Sequence, residues 1–218
     1  MARRFDLLVF DWDGTLVDSA AHIVSSLQSA CRDLDLPIPS ERACRHVIGL
    51  GLQDAVRYVL PGLPQRRLAE VAQRYALHYQ SGEDGLRPFP MVEEGLLRLQ
   101  KAGHLLAIAT GKSRRGLDRI LATLGMRGHF VATRCADEGL PKPHPDMLQQ
   151  LMQALSVPVA RTLMIGDTTH DLLMALNAGA SAVAVTYGAH PPQELARLSP
   201  LACVASFAQL LEWLENNA

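Results

Sequence analysis

The first apolar segment, FDLLVF at residues 5 to 10, is short, rich in aromatic and aliphatic side chains, and stopped by a glycine-containing turn at Asp13-Gly14-Thr15. That pattern predicts a buried strand whose carboxyl end delivers Asp11 and Asp13. From about residue 19 to 82 the apolar spacing becomes helical. Ile23, Leu27, Ala30 and Leu34 fall on one face, and Leu68, Val71, Ala72, Tyr75, Ala76 and Tyr79 on another. Breaks at Pro37-Ile38-Pro39 and Pro61-Gly62-Leu63-Pro64 divide the stretch into three helical pieces, and Gly82 to Pro90 closes it. No strand is predicted there, so it reads as a helical insert between the first strand and the rest of the core.

After Pro90 helices and strands alternate. Helices are predicted at about 91–101, 114–124, 145–155, 169–178 and 206–215, the last with Phe207, Leu210, Leu211 and Leu214 on one face. Strands are predicted at 104–109, 129–133, 161–165 and 181–185, and Gly125 and Gly179 end two of the helices. Short apolar strands separated by helices form a parallel sheet covered on both faces, an α/β fold. The implied division is a core of residues 1–17 and 84–218 with an all-helical insert over 18–83. Ligands of such sheets gather at the carboxyl ends of the strands.

Composition narrows the picture by exclusion. At 218 residues, 48% hydrophobic and 20% charged, the chain is long and apolar enough for a compact water-soluble protein. A formal net charge of -1 gives no field for a polyanion, which argues against nucleic-acid binding. The pairs Arg3-Arg4, Arg66-Arg67 and Arg114-Arg115 read as solvated surface. Cys31, Cys44, Cys135 and Cys203 show no zinc-type spacing and fit reduced thiols of a cytoplasmic protein. Asp6 interrupts the apolar run that follows Arg4, so an export signal is not expected, and no apolar stretch is long enough for a membrane span. No heptad or large apolar seam stands out, which fits a monomer or a weak homodimer.

Chemistry enters where polar residues meet strand ends. Asp11 and Asp13 follow the first strand, Thr110 follows HLLAIA, Lys142 lies in the Pro141-Lys142-Pro143 loop, and Asp167 follows LMI. All are expected to face one crevice. Converging carboxylates repel one another unless a cation joins them, and a hard divalent ion, magnesium, suits oxygen ligands. Such an ion also draws in a phosphate. Two acids one residue apart can divide phosphoryl transfer between attack on phosphorus and proton transfer to and from the departing and entering oxygens. Thr110 and the amides around Gly111 and Trp12 supply hydrogen bonds to phosphoryl oxygens, and Lys142 adds positive charge from the opposite side.

DWDGTLVDS at 11–19, ATGK at 109–112, LPKPHPD at 140–146 and GDTTHD at 166–171 together resemble the four ordered motifs of haloacid dehalogenase-type phosphatases. The insert after the first motif, the form of the last motif and Ala178-Gly179-Ala180 are most similar to phosphoglycolate phosphatase-like members. The resemblance implies a Rossmann-like core with a mobile helical cap and hydrolysis of a small phosphorylated metabolite. It further implies an aspartyl-phosphate at Asp11, acid/base duty at Asp13, and magnesium ligation by Asp11, the backbone carbonyl of Asp13, and Asp167. Asp171 would ligate through water or hold the ligands in place. At Trp12 the backbone amide is expected to matter more than the indole.

Asp18 and Ser19 read first as the N-cap of the first insert helix, and second as a hinge for cap closure. Arg45 and His46 read first as surface-loop residues, and second as cap contacts to substrate. Gly49-Leu50-Gly51 approaches a dinucleotide fingerprint, but Asp54 stands where the third glycine belongs and no strand precedes it. His144 reads as a helix-start or loop residue. Within the same superfamily, sugar-phosphate mutases and pyrophosphatases are the alternatives. Asp13 speaks against a dehalogenase, and Lys101, Lys112 and Lys142 all lie outside the insert, which lacks the cap lysine of phosphonate-cleaving relatives. From another class, a phospho-accepting signalling domain shares the acids, threonine and lysine, but not a second acid beside the acceptor on the first strand or a large insert.

Overall fold

The computed structural model describes residues 4–218; Arg3 of the Arg3-Arg4 pair lies outside the described residues. Six parallel strands are arranged in the order β3-β2-β1-β4-β5-β6. These are β1 Leu7–Phe10, β2 Leu105–Thr110, β3 Ala132–Cys135, β4 Thr162–Gly166, β5 Ser181–Val185 and β6 Cys203–Val204. β1 is central, in register Leu7 to Leu105 on one side and Leu7 to Thr162 on the other. The chain leaves β1 for β2 and β3 in one direction, then returns to β4 in the other. Strand order therefore reverses at β1, where a crevice opens at the carboxyl ends.

The period of two along β1 divides its side chains between two cores. Leu8 and Phe10 join the apolar cluster formed with α5 Val92–Lys101, α6 Arg114–Thr123 and α10 Phe207–Asn217. Leu7 and Val9 join the opposite cluster with α7 Asp146–Leu155 and α8 Thr169–Ala178. Both faces are covered, as the continuous apolar strands require.

Residues 20–82 form four helices: α1 Ala20–Asp33, α2 Glu41–His46, α3 Leu52–Val59 and α4 Gln65–Gly82. The middle of the three expected pieces splits in two, because Gly49 adopts a positive φ of 92° and Gly51 is extended at the start of α3. The insert buries its own apolar cluster, including Leu27, Cys44, Val56, Leu68 and Val71.

Three further differences have local causes. β3 begins three residues later than the expected 129–133 strand; it is an edge strand with half-buried Ala132, Thr133 and Arg134, and the more apolar Phe130-Val131 precedes it. The short α9 Pro192–Ala196 and two-residue β6 carry too few residues to show a periodicity. Arg114 is not free surface; it ties α6 to Glu138 and Thr133. Arg66, by contrast, is exposed. The cysteines are free thiols, and among the described residues no helix is long and apolar enough to cross a membrane.

Leu8 has no exposed surface, so Leu8→Ala should destabilise the fold by about 2–5 kcal/mol through lost transfer energy plus a cavity. Urea denaturation checks this; a loss below about 1 kcal/mol would show that the β1 face is not a packed core.

Candidate active site

β1 carries its ladder one residue past its end: the Asp11 amide donates to the Ile165 carbonyl at 2.9 Å, fixing the Asp11 backbone against β4. The chain then turns tightly, with Leu16 and Val17 amides both donating to the Trp12 carbonyl. Gly14 adopts a φ of 81°, and a Cβ there would run into the Asp167 carboxylate. Only glycine lets the turn lie against Asp167.

Asp11 is buried, and among the described residues neither carboxylate oxygen accepts a hydrogen bond of acceptable geometry. Its one close polar neighbour is ionic: Lys142 Nζ is 2.8 Å from Oδ1. The same ammonium donates to Asp171 Oδ1 at 2.6 Å. Asp171 uses Oδ2 to accept from the Thr168 amide and hydroxyl, completing a capping box at the start of α8. It is therefore both a helix cap and a partner of Lys142. Asp167 accepts from the Thr15 hydroxyl and the Ala189 amide, each at 2.7 Å. One oxygen from each of Asp11, Asp167 and Asp171 lies within 4.8 Å of the others.

Burial raises Asp11 well above an ordinary carboxylate; Lys142 opposes this, and Asp171 and Asp167 add to it. Burial likewise raises Asp167 to about 7, with Asp171 adding and the Ala189 amide, Thr15 and Lys142 opposing. Burial works against the charge of Lys142, but Asp11 and Asp171 outweigh it and hold the ammonium above its usual range. Three buried carboxylates around one ammonium leave uncompensated negative charge, and Asp11 Oδ2 has no partner among the described residues. This donor set fits a hard divalent cation.

Asp13 points elsewhere. Its carboxylate accepts from the Ser19 hydroxyl at 2.7 Å and from Lys112 Nζ at 3.1 Å. Lys112 also donates to the Tyr79 hydroxyl at 2.7 Å and lies 4.3 Å from that ring's centre, which links the acid to α4. Ser19 precedes α1 at the N-cap position, yet its side chain makes no cap hydrogen bond; the Asp13 carboxylate is the stronger acceptor and takes the hydroxyl. Thr110 ends β2, fully buried, and its hydroxyl accepts from the Lys112 amide. Ser113, not Thr110, caps α6. Gly111 sits beneath the insert, where a Cβ would stand 2.5 Å from the Gly49 carbonyl oxygen. The Trp12 indole is buried beside Phe130, its Nε1 without a partner among the described residues. His144 accepts from the Asp146 amide at the start of α7, as its loop position suggested.

Arg45 and His46 do not line the cavity that reaches Asp13. They line a second hollow with Tyr58, His190 and Glu194. The turn after α2 directs them there: Arg45 pairs with Glu41, and the His46 ring stacks on His190. The His46 carbonyl accepts from His170 Nε2 at 2.8 Å and His190 Nε2 at 3.1 Å, tying insert to core. The Thr169 amide donates to His190 Nδ1, so both ring nitrogens of His190 are engaged. Spacing alone offers no direct sign that Thr15, Ser19, Tyr79 or Lys112 are neighbours of the acids, although Thr15 and Ser19 lie in the 11–19 motif and Lys112 in the 109–112 motif.

The haloacid dehalogenase-like hydrolase family model matches residues 8–185. The chain belongs to this family. It is 40% identical over 211 residues to a probable phosphatase, IndB, of Dickeya dadantii, covering 94% of this chain and 91% of that protein. It is 30% identical to a phosphoglycolate phosphatase of Agrobacterium fabrum, covering 94% and 90%. A crystal structure of a predicted phosphoglycolate phosphatase from Haemophilus somnus superimposes with a TM-score of 0.85 at 28% identity, covering 97% of this chain and 99% of that one.

Because burial pushes Asp167 up to about 7 from an ordinary carboxylate value of 3.8, its contribution to metal-free stability is full at pH values below about 4. It is lost as pH rises through about 7. A divalent cation competes with that proton. Magnesium should therefore raise Tm more at pH 8 than at pH 5. At a hundredfold excess over Kd the gain corresponds to about 2.7 kcal/mol, or roughly 5–10 °C for a domain of this size. Thermal melts with magnesium or EDTA check this, and Asp167→Ala should remove the gain. An equal gain at both pH values, or one retained in the variant, contradicts the assignment.

Proposed function

We propose that this hydrolase is a magnesium-dependent phosphatase that cleaves phosphate monoesters through an aspartyl-phosphate at Asp11. The observation that carries the reading is the state of Asp11: buried, held by Lys142 at Oδ1, with no other hydrogen-bond donor on its oxygens among the described residues, and grouped with Asp167. A carboxylate oxygen left without a donor keeps its lone pairs for attack. The names of the relatives agree with phosphate-ester hydrolysis, and make phosphoglycolate the first substrate to test. In this reading residues 1–17 and 84–218 are the core and residues 18–83 a cap, in keeping with the separate apolar cluster of the insert.

Asp11 attacks phosphorus while the bond to the ester oxygen breaks, and Asp13 gives its proton to the departing alkoxide. A water then attacks the phosphoryl group, giving a proton to Asp13 as the bond to Asp11 breaks and inorganic phosphate leaves. Lys142, the Thr110 hydroxyl and the Trp12 and Gly111 amides hold phosphoryl oxygens. Ser19 and Lys112 keep Asp13 in place between the two steps. A magnesium ion held by Asp11, the Asp13 carbonyl and Asp167, with Asp171 behind them, would supply the positive charge that lets a carboxylate approach an anionic phosphate.

Repeated release of phosphate from p-nitrophenyl phosphate, dependent on magnesium, is expected. Asp11→Asn should lower it by about 1,000-fold or more and abolish the phosphoenzyme. Asp13→Asn should slow turnover while phosphoenzyme accumulates, because this leaving group departs without a proton. Stoichiometric labelling without turnover would instead identify a phospho-accepting domain, and undiminished turnover in Asp11→Asn would remove the nucleophile.

A further inference from the structure

A cavity of about 650 Å³ leads from Asp13, Gly111 and Lys112 under the helical insert. Much of its lining is apolar, with Ile23 and Leu27 of α1, Ile48 and Leu50 of the turn before α3, and Ala72 and Tyr75 of α4. The size lies within the roughly 300–1,000 Å³ that enclose drug-sized ligands. Glycolate has five non-hydrogen atoms, and at about 30 Å³ for each water-sized group it would fill roughly 150 Å³. Most of the apolar wall would then face water.

The charges of the cavity are also largely committed. Lys112 is held by Asp13 and Tyr79, Arg119 by Glu83, and Arg57 by Asp54 and Gln65. Arg115, exposed at the rim, forms no ion pair among the described residues. Asp137 lines the same space and opposes a second anionic group. An apolar wall rewards an apolar guest, and binding remote from phosphorus can be used at the reacting centre.

We propose that the alcohol part of the substrate carries an apolar body of at least aromatic-ring size, seated against Ile48, Leu50 and Tyr75. The proposal rests on the phosphatase reading above and departs from the two-carbon substrate named for several relatives. The Ile48-Gly49-Leu50 turn then contributes specificity, while Arg45 and His46, three and two residues upstream, face the other hollow.

The test compares kcat/KM for 2-phenylethyl, hexyl and ethyl phosphates and phosphoglycolate, all esters of primary alcohols, so that leaving-group chemistry changes little along the series. The 2-phenylethyl ester should exceed both ethyl phosphate and phosphoglycolate by about 10-fold or more. Ala72→Phe, which fills the cavity, should bring the phenylethyl-to-ethyl ratio close to one; Ala76→Leu serves the same purpose if the first variant does not fold. Phosphoglycolate turned over as well as or better than the phenylethyl ester overturns the inference and leaves the phosphatase reading standing. So does a ratio unmoved in both filling variants. No phosphate release from any ester, with folded protein and magnesium, overturns both.

Discussion

One ammonium group organises the floor of this crevice. Lys142 Nζ lies between Asp11 at 2.8 Å and Asp171 at 2.6 Å, and all three side chains are removed from water. Burial of an ion pair is rarely a net gain, and burial of an excess charge costs several kcal/mol unless something joins it. Here the excess is negative, since Asp167 adds a third carboxylate. The neighbourhood responds by hydrogen bonding: Thr15 and the Ala189 amide serve Asp167, and Thr168 serves Asp171. Asp11 is left with Lys142 alone. That asymmetry is what the proposed division rests on, between carboxylates that hold and one that reacts.

The sheet makes this asymmetry possible. Because β1 lies between β2 and β4, the loops after all three strands converge, and Lys142 enters from the loop beyond β3. The insert closes over them with polar contacts. Tyr79 reaches Asp13 through Lys112, the His46 carbonyl receives two imidazoles from the core, and Gly49 and Leu50 press on Gly111. Position of the acid/base candidate and closure of the insert are thereby one geometric problem.

Much of this was legible in the sequence, for reasons that differ by element. β1, β2, β4 and β5 are short apolar runs, and their ends carry Asp11, Asp13, Thr110 and Asp167 wherever the strands pair. β3 was misplaced because an edge strand needs no continuous apolar run, and Ala132 to Cys135 has little. The partners of the acids were not legible, since a lysine that reaches Asp13 across the crevice depends on tertiary placement and not on spacing. Arg45 and His46 show the same limit. Their types suited a substrate contact, but both line the second hollow, where His46 stacks on His190 and Arg45 pairs with Glu41.

Of the two groups that could hold an ion among the described residues, we assign the divalent cation to Asp11, Asp167 and Asp171 and not to His46, His190 and Glu194. Crystals grown with manganese in place of magnesium would locate the ion by its anomalous scattering. One strong peak is expected in contact with carboxylate oxygens of Asp11 and Asp167. A protein that binds manganese only beside His46 and His190, or nowhere near Asp11, would contradict it.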